Sequence, residues 1–590
     1  MKNRNITQIL FFASALFLLS CSKTFEGDLI ITNVNIIDVK TGEINYTKSV
    51  VIRGDSIANI IDHNGNTNYE AEQVVDASEK YLIPGLWDMH THTWWGYEDF
   101  FPLLIANGVT GVREMFGDFE TVKKIREELK SGAIIGPEIY SSGPIVDGDP
   151  PIWSSSDIAD TPEKGREIVR QQKAGEADFI KVYFLLKKDV YLAIADECEK
   201  QNIPLTGHIP FKVSLEEAIA SNHLSIEHFY GILEYAGDTE GLAKIDSLRK
   251  TRFNFEEYYK RFDHITTTYD KAKENALIEL LSNSDSWICP TFTVHKGFHR
   301  QYDYYYTDDR IDYMPDYAMN GWKWITESDS ILSEDNARML TIDTTWYNKI
   351  LSLVKPLHEK GAKFLAGTDY ANPYTYPGFG LHEELEIFVN EAKLTPLQAL
   401  QTATINPALF MKKESEFGTV ETGKLASLVL LNKNPLDDIK NTSAINAVIL
   451  KGKYLEGNAL RDDIEKIATL NRLPKIRDVL SKIIADEGVD AAIGKYKNLK
   501  KEQPEAYNFN KEQLNTLAYE LLGEGKTKEA IQLFELNVKE FPDYANGFDS
   551  LGDGYVAAKD TINAIKAYEI SVEMGNNVSQ PKLEALKKKE

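Results

Sequence analysis

Between residues 81 and 412 the chain alternates eight short apolar segments with stretches of helical period. The segments read "LWDMH", "GVTGVRE", "EIYSSG", "FIKVY", "IPLTGHI", "LSIEHF", "SWICPTFTV" and "KFLAGTD". Apolar runs of this length, each followed by a helical pattern, fit parallel strands whose two faces are both covered. Few architectures use eight such units in one chain. The pattern predicts an α/β fold with a (β/α)8 TIM-type barrel over residues 81–412.

The flanks differ in character. From "DLIITNVNIIDVKTGEI" to "SVVIRGDSIANI", β-branched runs are broken by Thr-Gly and Gly-Asp turns, and a matching β-rich piece returns in "GTVETGKLASLVLLNKNPLDDI" and "INAVILKGKYL". These two pieces, 21–80 and 413–460, predict a small composite β-sandwich with the barrel inserted in it. Beyond residue 460 the chain becomes helical. Leu517, Ala530, Ile531 and Phe534 recur as Leu551, Ala564, Ile565 and Tyr568, an offset of about 34 residues that resembles a tetratricopeptide repeat. "FPD" stands where that repeat ends, and "GVDAAIGKYKNLKKEQP" is a fainter copy. Residues 461–590 are therefore expected to form an all-α repeat domain that binds a protein partner, joins a homo-oligomer, or braces the barrel.

A formal net charge of -24 excludes a nucleic-acid or anionic-lipid surface, since binding there needs Lys and Arg to neutralise phosphate. Lys2 and Arg4 precede "ILFFASALFLL", too short for a comfortable span but suited to a signal segment over residues 1–20. The "LLSC" ending at Cys21 resembles a bacterial lipoprotein cleavage box. It implies lipidation of Cys21 and a place in the bacterial cell envelope, facing the periplasm or the surface, with lipid as the only membrane contact. Cys198 and Cys289 either pair or stay as buried thiols.

In a strand over Leu86–His92, alternate residues share a face, so Asp88, His90 and His92 project together. Other segments end in Lys181, His208, His228 and Asp369. Chemistry in such barrels sits at the C-terminal strand ends, and these side chains are a metal-ligand vocabulary placed there.

The set "DMHTH", "DFIKVY", "GHIP", "SIEHF" and "AGTD", with "GVTGVRE" and "LASLVLLNKNPLDDI", resembles the amidohydrolase superfamily over residues of about 28 to 456. The likeness is to its imidazolonepropionase- and prolidase-like branch. The resemblance implies two divalent metal ions, zinc, with His90 and His92 on the more buried one and His208 and His228 on the more exposed one. It implies a carboxylated Lys181 bridging the pair, and Asp369 as ligand and proton shuttle. It further implies hydrolysis of an amide bond in a dipeptide or N-acyl amino acid by a metal-bridging hydroxide. A cyclic amide hydrolase, or a non-catalytic envelope binding or scaffold protein, are the alternatives. Two departures are visible: Ser427 stands where relatives carry aspartate, and "GPIVDGDPPIWSS" lacks a substrate-binding histidine that some relatives place there.

Three further residues carry open readings. His382 in "GLHEEL" either meets substrate near the mouth or is a structural cap. Arg113 either reaches a substrate carboxylate or forms a buried ion pair with Glu114 or another acid. Asp88 either orients a ligand or makes a strand-start hydrogen bond. The insertion before the eighth segment holds Tyr302, Tyr304, Tyr305, Tyr306, Tyr313 and Tyr317 with Asp308, Asp309 and Asp312. It is expected to form an ordered lid that admits small molecules and favours a basic or neutral group at its acidic edge.

Overall fold

The computed structural model describes residues 24–64, 67–247, 255–301, 307–319, 322, 334–576 and 578–588. The segment 1–20 with Cys21, and Tyr302, Tyr304, Tyr305 and Tyr306, lie outside the described residues. The described residues begin with five strands: β1 (Thr24–Ile37), β2 (Ile44–Arg53), β3 (Ser56–Asp62), β4 (Asn68–Asp76) and β5 (Tyr81–Pro84). The barrel region follows, with β6–β15, and β16 (Leu428–Leu431), β17 (Ile445–Leu450) and β18 (Lys453–Glu456) complete the described set. β5 pairs antiparallel with β16, Ile83 opposite Val429, which joins both ends of the strand-bearing chain into one eight-stranded sheet. By hydrogen bonding this is one continuous sheet, because the long β1 pairs with β2 on one edge and with β4 and then β5 on the other. Leu29, Ile31, Val50, Ile52, Leu82, Leu428, Leu430 and Ile449 form its core.

The barrel uses β6 (Leu86–Thr91), β7 (Val109–Glu114), β8 (Glu138–Ser141), β11 (Ile180–Val182), β12 (Leu205–Gly207), β13 (His223–Glu227), β14 (Trp287–Cys289) and β15 (Lys363–Phe364). All hydrogen-bonded neighbours among them are parallel. Every residue of β6 and β7 is buried, as apolar runs without alternation require. A parallel bridge from Ser142 to Phe179 and another from Thr91 to Tyr370 join the β6–β7–β8 sheet to the other barrel strands. Short extra strands β9 (Val146–Asp147) and β10 (Asp157–Ile158) extend the third unit beside β11.

The eight segments expected from the sequence supply these strands, several over only part of their length, such as Lys363–Phe364 in "KFLAGTD". "SWICPTFTV" is strand only to Cys289, and Phe292 begins a helix to Gln301. The Glu384 carboxylate draws the chain out of strand there, accepting the backbone N–H of Phe292 at 2.9 Å and of Thr293 at 2.8 Å, two donors that a helix start leaves open. Gly367 is needed for closure: a Cβ on it would lie 2.8 Å from the Cβ of His90.

Among the described residues the terminal region forms eight helices, from Gly457–Arg472 to Ser579–Lys587, with their own core of Leu480, Tyr496, Leu514, Leu517, Leu533 and Phe534. It is seated on the barrel. Ile464 packs with Leu103 and Ala106, Lys511 pairs with Glu98 at 2.8 Å, and Lys475 and Arg477 pair with Asp316 at 2.7 and 3.3 Å. Among the described residues no helix is long and apolar enough to cross a membrane. Cys198 and Cys289 are free and buried.

Candidate metal centre

At the C-terminal ends of the strands, the Asp369 carboxylate lies among three imidazoles. Its Oδ1 is 3.0 Å from His92 Nε2 and 3.6 Å from His90 Nε2, and its Oδ2 is 3.9 Å from His228 Nε2. His208 extends the group, its ring 5.0 Å from that of His228, which in turn lies 4.6 Å from that of His90. Lys181 is buried nearby, 2% exposed, and makes no ion pair within 4 Å among the described residues. Five of the strand ends identified in the sequence thus meet in one place.

Local backbone form helps to aim them. His228 and Asp369 have φ of 57° each, in the left-handed region that costs a side-chain-bearing residue energy and collects at functional sites. Gly207, just before His208, has φ of 115°, and a Cβ there would stand 2.4 Å from the carbonyl oxygen of Val182.

Buried partners fix the rings. Glu227 Oε2 lies 2.9 Å from His90 Nδ1. Burial would raise the pKa of Glu227, but Arg113 and His90 outweigh it and hold the carboxyl far below its usual range. It is therefore the acceptor, His90 carries its hydrogen on Nδ1, and the Nε2 lone pair is left facing Asp369. His228 Nδ1 is likewise held by the Thr291 hydroxyl at 2.5 Å. Glu114 accepts the backbone N–H groups of Thr93, Trp94 and Phe116, which shapes the turn after His92. Asp88 accepts from the Thr368 N–H at 3.0 Å and hydroxyl at 2.6 Å, tying β6 to the loop that carries Asp369. Burial pushes Asp88 up to about 7.

The electrostatics suit a cation. Burial lowers His90 to about 4 and pushes His208 and His228 well below the ordinary histidine value, so all three are neutral donors at pH 7. Burial opposes ionisation of Asp369 as well, yet His90, His92 and His228 overcome it and keep the group an anion. His90 Nε2 and both ring nitrogens of His208 are buried without a hydrogen-bond partner, and one ligand atom each from His90, His92 and Asp369 lies within 4.8 Å of the others. Buried orphaned lone pairs beside a carboxylate are the donor set that borderline divalent ions take. The residues fit the metal that the sequence implied. An ammonium at Lys181 would not fit, since it has no lone pair to give; burial brings its pKa down to about 8, within reach of the neutral amine.

The structure resolves two open readings, at Arg113 and His382, and bears on the acidic residues of the insertion. Arg113 is fully buried and directed at protein: it donates to Ser225 at 2.7 Å and to both oxygens of Glu227 at 3.0 and 2.8 Å, which leaves no fork for a substrate carboxylate. Its open choice thus resolves to the buried ion pair, with Glu227 as the acid. His382 is 5% exposed, with one ring nitrogen on the Thr442 hydroxyl at 2.9 Å and the other on the Asn107 carbonyl at 3.0 Å. It is structural. In the described part of the insertion, Asp308 pairs with Arg310 and Asp312 with Arg472, both at 2.6 Å, so neither offers a free acidic edge. Tyr317 donates to Asp99 at 2.6 Å and Tyr313 to Glu465 at 3.0 Å. This piece is a bracket between barrel and terminal helices.

Sequence reasoning missed Glu227, Ser225, Thr291 and Tyr183. Period two in "SIEHF" puts Ser225 and Glu227 on one face of β13, and the same period puts Tyr183 on the face of Lys181, so a signal was present. The Tyr183 ring stacks on His208 at 4.2 Å, and its hydroxyl accepts from the exposed Trp153 at 3.2 Å.

Residues 81–455 match the Amidohydrolase family. The chain is similar to the ochratoxinase of Aspergillus niger, 23% identical over 430 residues that cover 64% of this chain and 76% of that protein. Among solved structures it is similar to a bottromycin amidohydrolase, with a TM-score of 0.61 and 19% identity over 75% of this chain and 90% of that one. It is also similar to a Xaa-Pro dipeptidase with methionine bound in its active site, with a TM-score of 0.53 and 18% identity over 72% of this chain and 99% of that one.

Proposed function

We infer the reaction from one premise: the chain belongs to the amidohydrolase family. It is a hydrolase of a generally metal-dependent kind. The reading supported best is cleavage of an amide bond in a small substrate, a dipeptide or an N-acyl amino acid. The observation that carries it is the set of buried imidazole nitrogens without a hydrogen-bond partner, His90 Nε2 beside Asp369 and both ring nitrogens of His208 beside His228. The names of the similar Xaa-Pro dipeptidase and bottromycin amidohydrolase are those of peptide- and amide-cleaving enzymes, which favours that substrate class here.

In this proposal His90, His92 and Asp369 hold one divalent ion and His208 and His228 a second, both zinc. When bound, such ions polarise the scissile carbonyl and acidify water, whose pKa can fall from 15.7 to about 7. The chain's own residues supply the rest. Lys181, with a pKa near 8, attacks carbon dioxide as the neutral amine; a nitrogen–carbon bond forms, one proton leaves to solvent, and the product is a carbamate anion able to bridge two cations. Asp369, anionic and within reach of three imidazoles, takes the proton of the attacking water and hands it to the departing nitrogen. Glu227 and Thr291 hold the rings of His90 and His228 in place. Tyr183, Phe184 and Tyr230 pack around His208 and keep bulk water from its face.

Two further parts of the proposal stand on sequence. The terminal helices are tetratricopeptide-like, on the strength of the recurring Leu517/Leu551 and Phe534/Tyr568 positions, and their seat on the barrel favours a bracing role. Cys21 carries lipid and anchors the protein in a bacterial envelope. The deciding experiment is metal analysis of the purified protein with a screen of dipeptide, N-acyl amino acid and cyclic amide libraries. Two ions per chain with turnover of the first two classes supports the reading. Turnover of cyclic amides alone, or none in a fully metal-loaded protein, sinks it.

A further inference from the structure

β9 pairs parallel with β11, so the loops that follow both strands leave at the same face as the candidate centre. One loop carries Trp153 and the other Tyr183, and the two side chains meet: the indole N–H donates to the Tyr183 hydroxyl at 3.2 Å. The Tyr183 ring stacks in turn on His208, with 4.2 Å between centroids and 27° between planes. Only one phenol ring thus separates the indole from a residue of the candidate centre. The loop is also fixed. Asp147, fully buried, accepts the backbone N–H groups of Gly148 at 2.9 Å, Ile152 at 3.0 Å and Leu185 at 2.7 Å, which ties the chain before Trp153 to the chain after Tyr183. A turn follows, in which the Trp153 carbonyl accepts the N–H of Ser156 at 3.1 Å.

Trp153 is nonetheless 48% exposed. A single exposed apolar side chain is ordinary on a protein surface. This one differs in how it is held. Its polar edge is engaged by Tyr183 and its backbone is pinned, which leaves the carbon surface of the ring to solvent, held still beside the site. A ring already fixed loses less freedom on meeting a flat partner than a mobile one does. Trp95, 40% exposed in the turn after His92, lies edge-on to Phe100 at 5.1 Å and to Tyr317 at 5.7 Å, and gives the same mouth a second indole.

We propose that Trp153 selects substrates that carry a flat, uncharged ring next to the scissile amide, by stacking that ring on the open indole face. This rests on the amide-cleaving reading and narrows it to ring-bearing dipeptides or N-acyl amino acids. Packing between two rings adds to the area they bury, and together these give about ten-fold discrimination against a partner without the ring. The span is suitable. An extended residue covers about 3.3–3.6 Å, so a group one or two residues' length from a carbonyl held at His208 reaches across Tyr183 to Trp153. Tyr183 is a positioning residue in this scheme, aiming the indole through its hydroxyl.

The test is the ratio of kcat/KM for matched substrates in metal-loaded, full-length wild type, Trp153→Ala, Trp153→Phe and Tyr183→Phe. The matched sets are N-benzoyl against N-acetyl amino acids, and dipeptides that differ only in phenylalanine, alanine or lysine. Wild type should favour the ring-bearing member of a set about ten-fold. Trp153→Ala should bring that ratio close to one, through a higher KM for the ring-bearing member rather than a lower kcat. Trp153→Phe keeps a flat ring and should retain part of the preference. Tyr183→Phe, which removes only the acceptor of the indole N–H, should lower the ratio too, and an unchanged ratio there overturns its positioning role. An unchanged ratio in Trp153→Ala, no ring preference in wild type, or a stronger preference for the lysine member overturns the proposal and leaves amide cleavage standing. No turnover of any small amide by metal-loaded wild type overturns the amide-cleaving reading, and this inference with it.

Discussion

His90 donates its Nδ1 hydrogen to Glu227 across 2.9 Å, and that one bond determines which nitrogen of His90 faces Asp369. The pair is anchored in turn by Arg113, so a guanidinium far from any solvent sets the geometry of the candidate centre.

Arg113→Met should therefore act through stability. It leaves the Glu227 anion buried without its cation, a change that typically costs about 3–5 kcal/mol. A large fall in melting temperature, with KM unchanged for carboxylate-bearing substrates in whatever enzyme folds, is the expected result. A raised KM with unaltered melting would restore Arg113 as a substrate contact.

Lys181→Ala should lower metal content towards one ion per chain and remove most activity. Millimolar amounts of a short carboxylic acid should return part of it by standing in for the carbamate. Full metal and full rate in the variant would defeat the bridging role.

Asp369→Asn should keep most of the metal and lose about 10²–10⁴-fold in kcat, the usual worth of a positioned proton-transfer group. Rate and metal content are read on the same sample. Normal turnover would assign the proton to another residue.

Acid should destabilise the barrel before it reaches ordinary carboxylates. Burial lowers His223 and His382 to about 4, against 6.5 for a free histidine. Between those two values the unfolded chain binds more protons, so stability falls as pH drops from 6.5 towards 4, by about 3 kcal/mol per histidine at full extent. Urea midpoints at several pH values measure the slope, and His382→Gln should flatten it. An unchanged slope would mean that His382 titrates alike in both states.

A truncation after residue 474 should keep the helix that carries Ile464 and lose the pairings of Lys475, Arg477 and Lys511 with Asp316 and Glu98. Small amides should still be hydrolysed, with KM shifted because the bracket near Tyr317 is loosened. Abolished turnover in a folded, metal-loaded truncation would place the helices within the reacting site.

Strand count and the metal-binding residue types were readable because both rest on periodicity: apolar runs of strand length, and histidines two apart on one face. The partners of those residues were less readable. Glu227 was visible beside His228, yet nothing in "SIEHF" says that it reaches across to β6 and β7, because the pairing spans the closed barrel. The open choices at Arg113 and His382 turn on burial, which the local sequence does not fix: both types occur at mouths and in cores. The pairing of Asp312 was hidden for a related reason, since Arg472 arrives from a part of the chain 160 residues away.

The pairing of β5 with β16 also sets a timetable for synthesis. Lys80 and Asn432, hydrogen-bonded at the edge of that pairing, are 352 residues apart. At roughly 5–20 residues per second, the ribosome needs on the order of 20–70 s to deliver the second after the first. During that interval the first five strands have no β16 to cover β5, and an uncovered strand edge invites pairing with any other nascent chain. The growing polypeptide is thus most exposed to aggregation while the barrel is being made, and the hazard ends only when residues near 430 emerge.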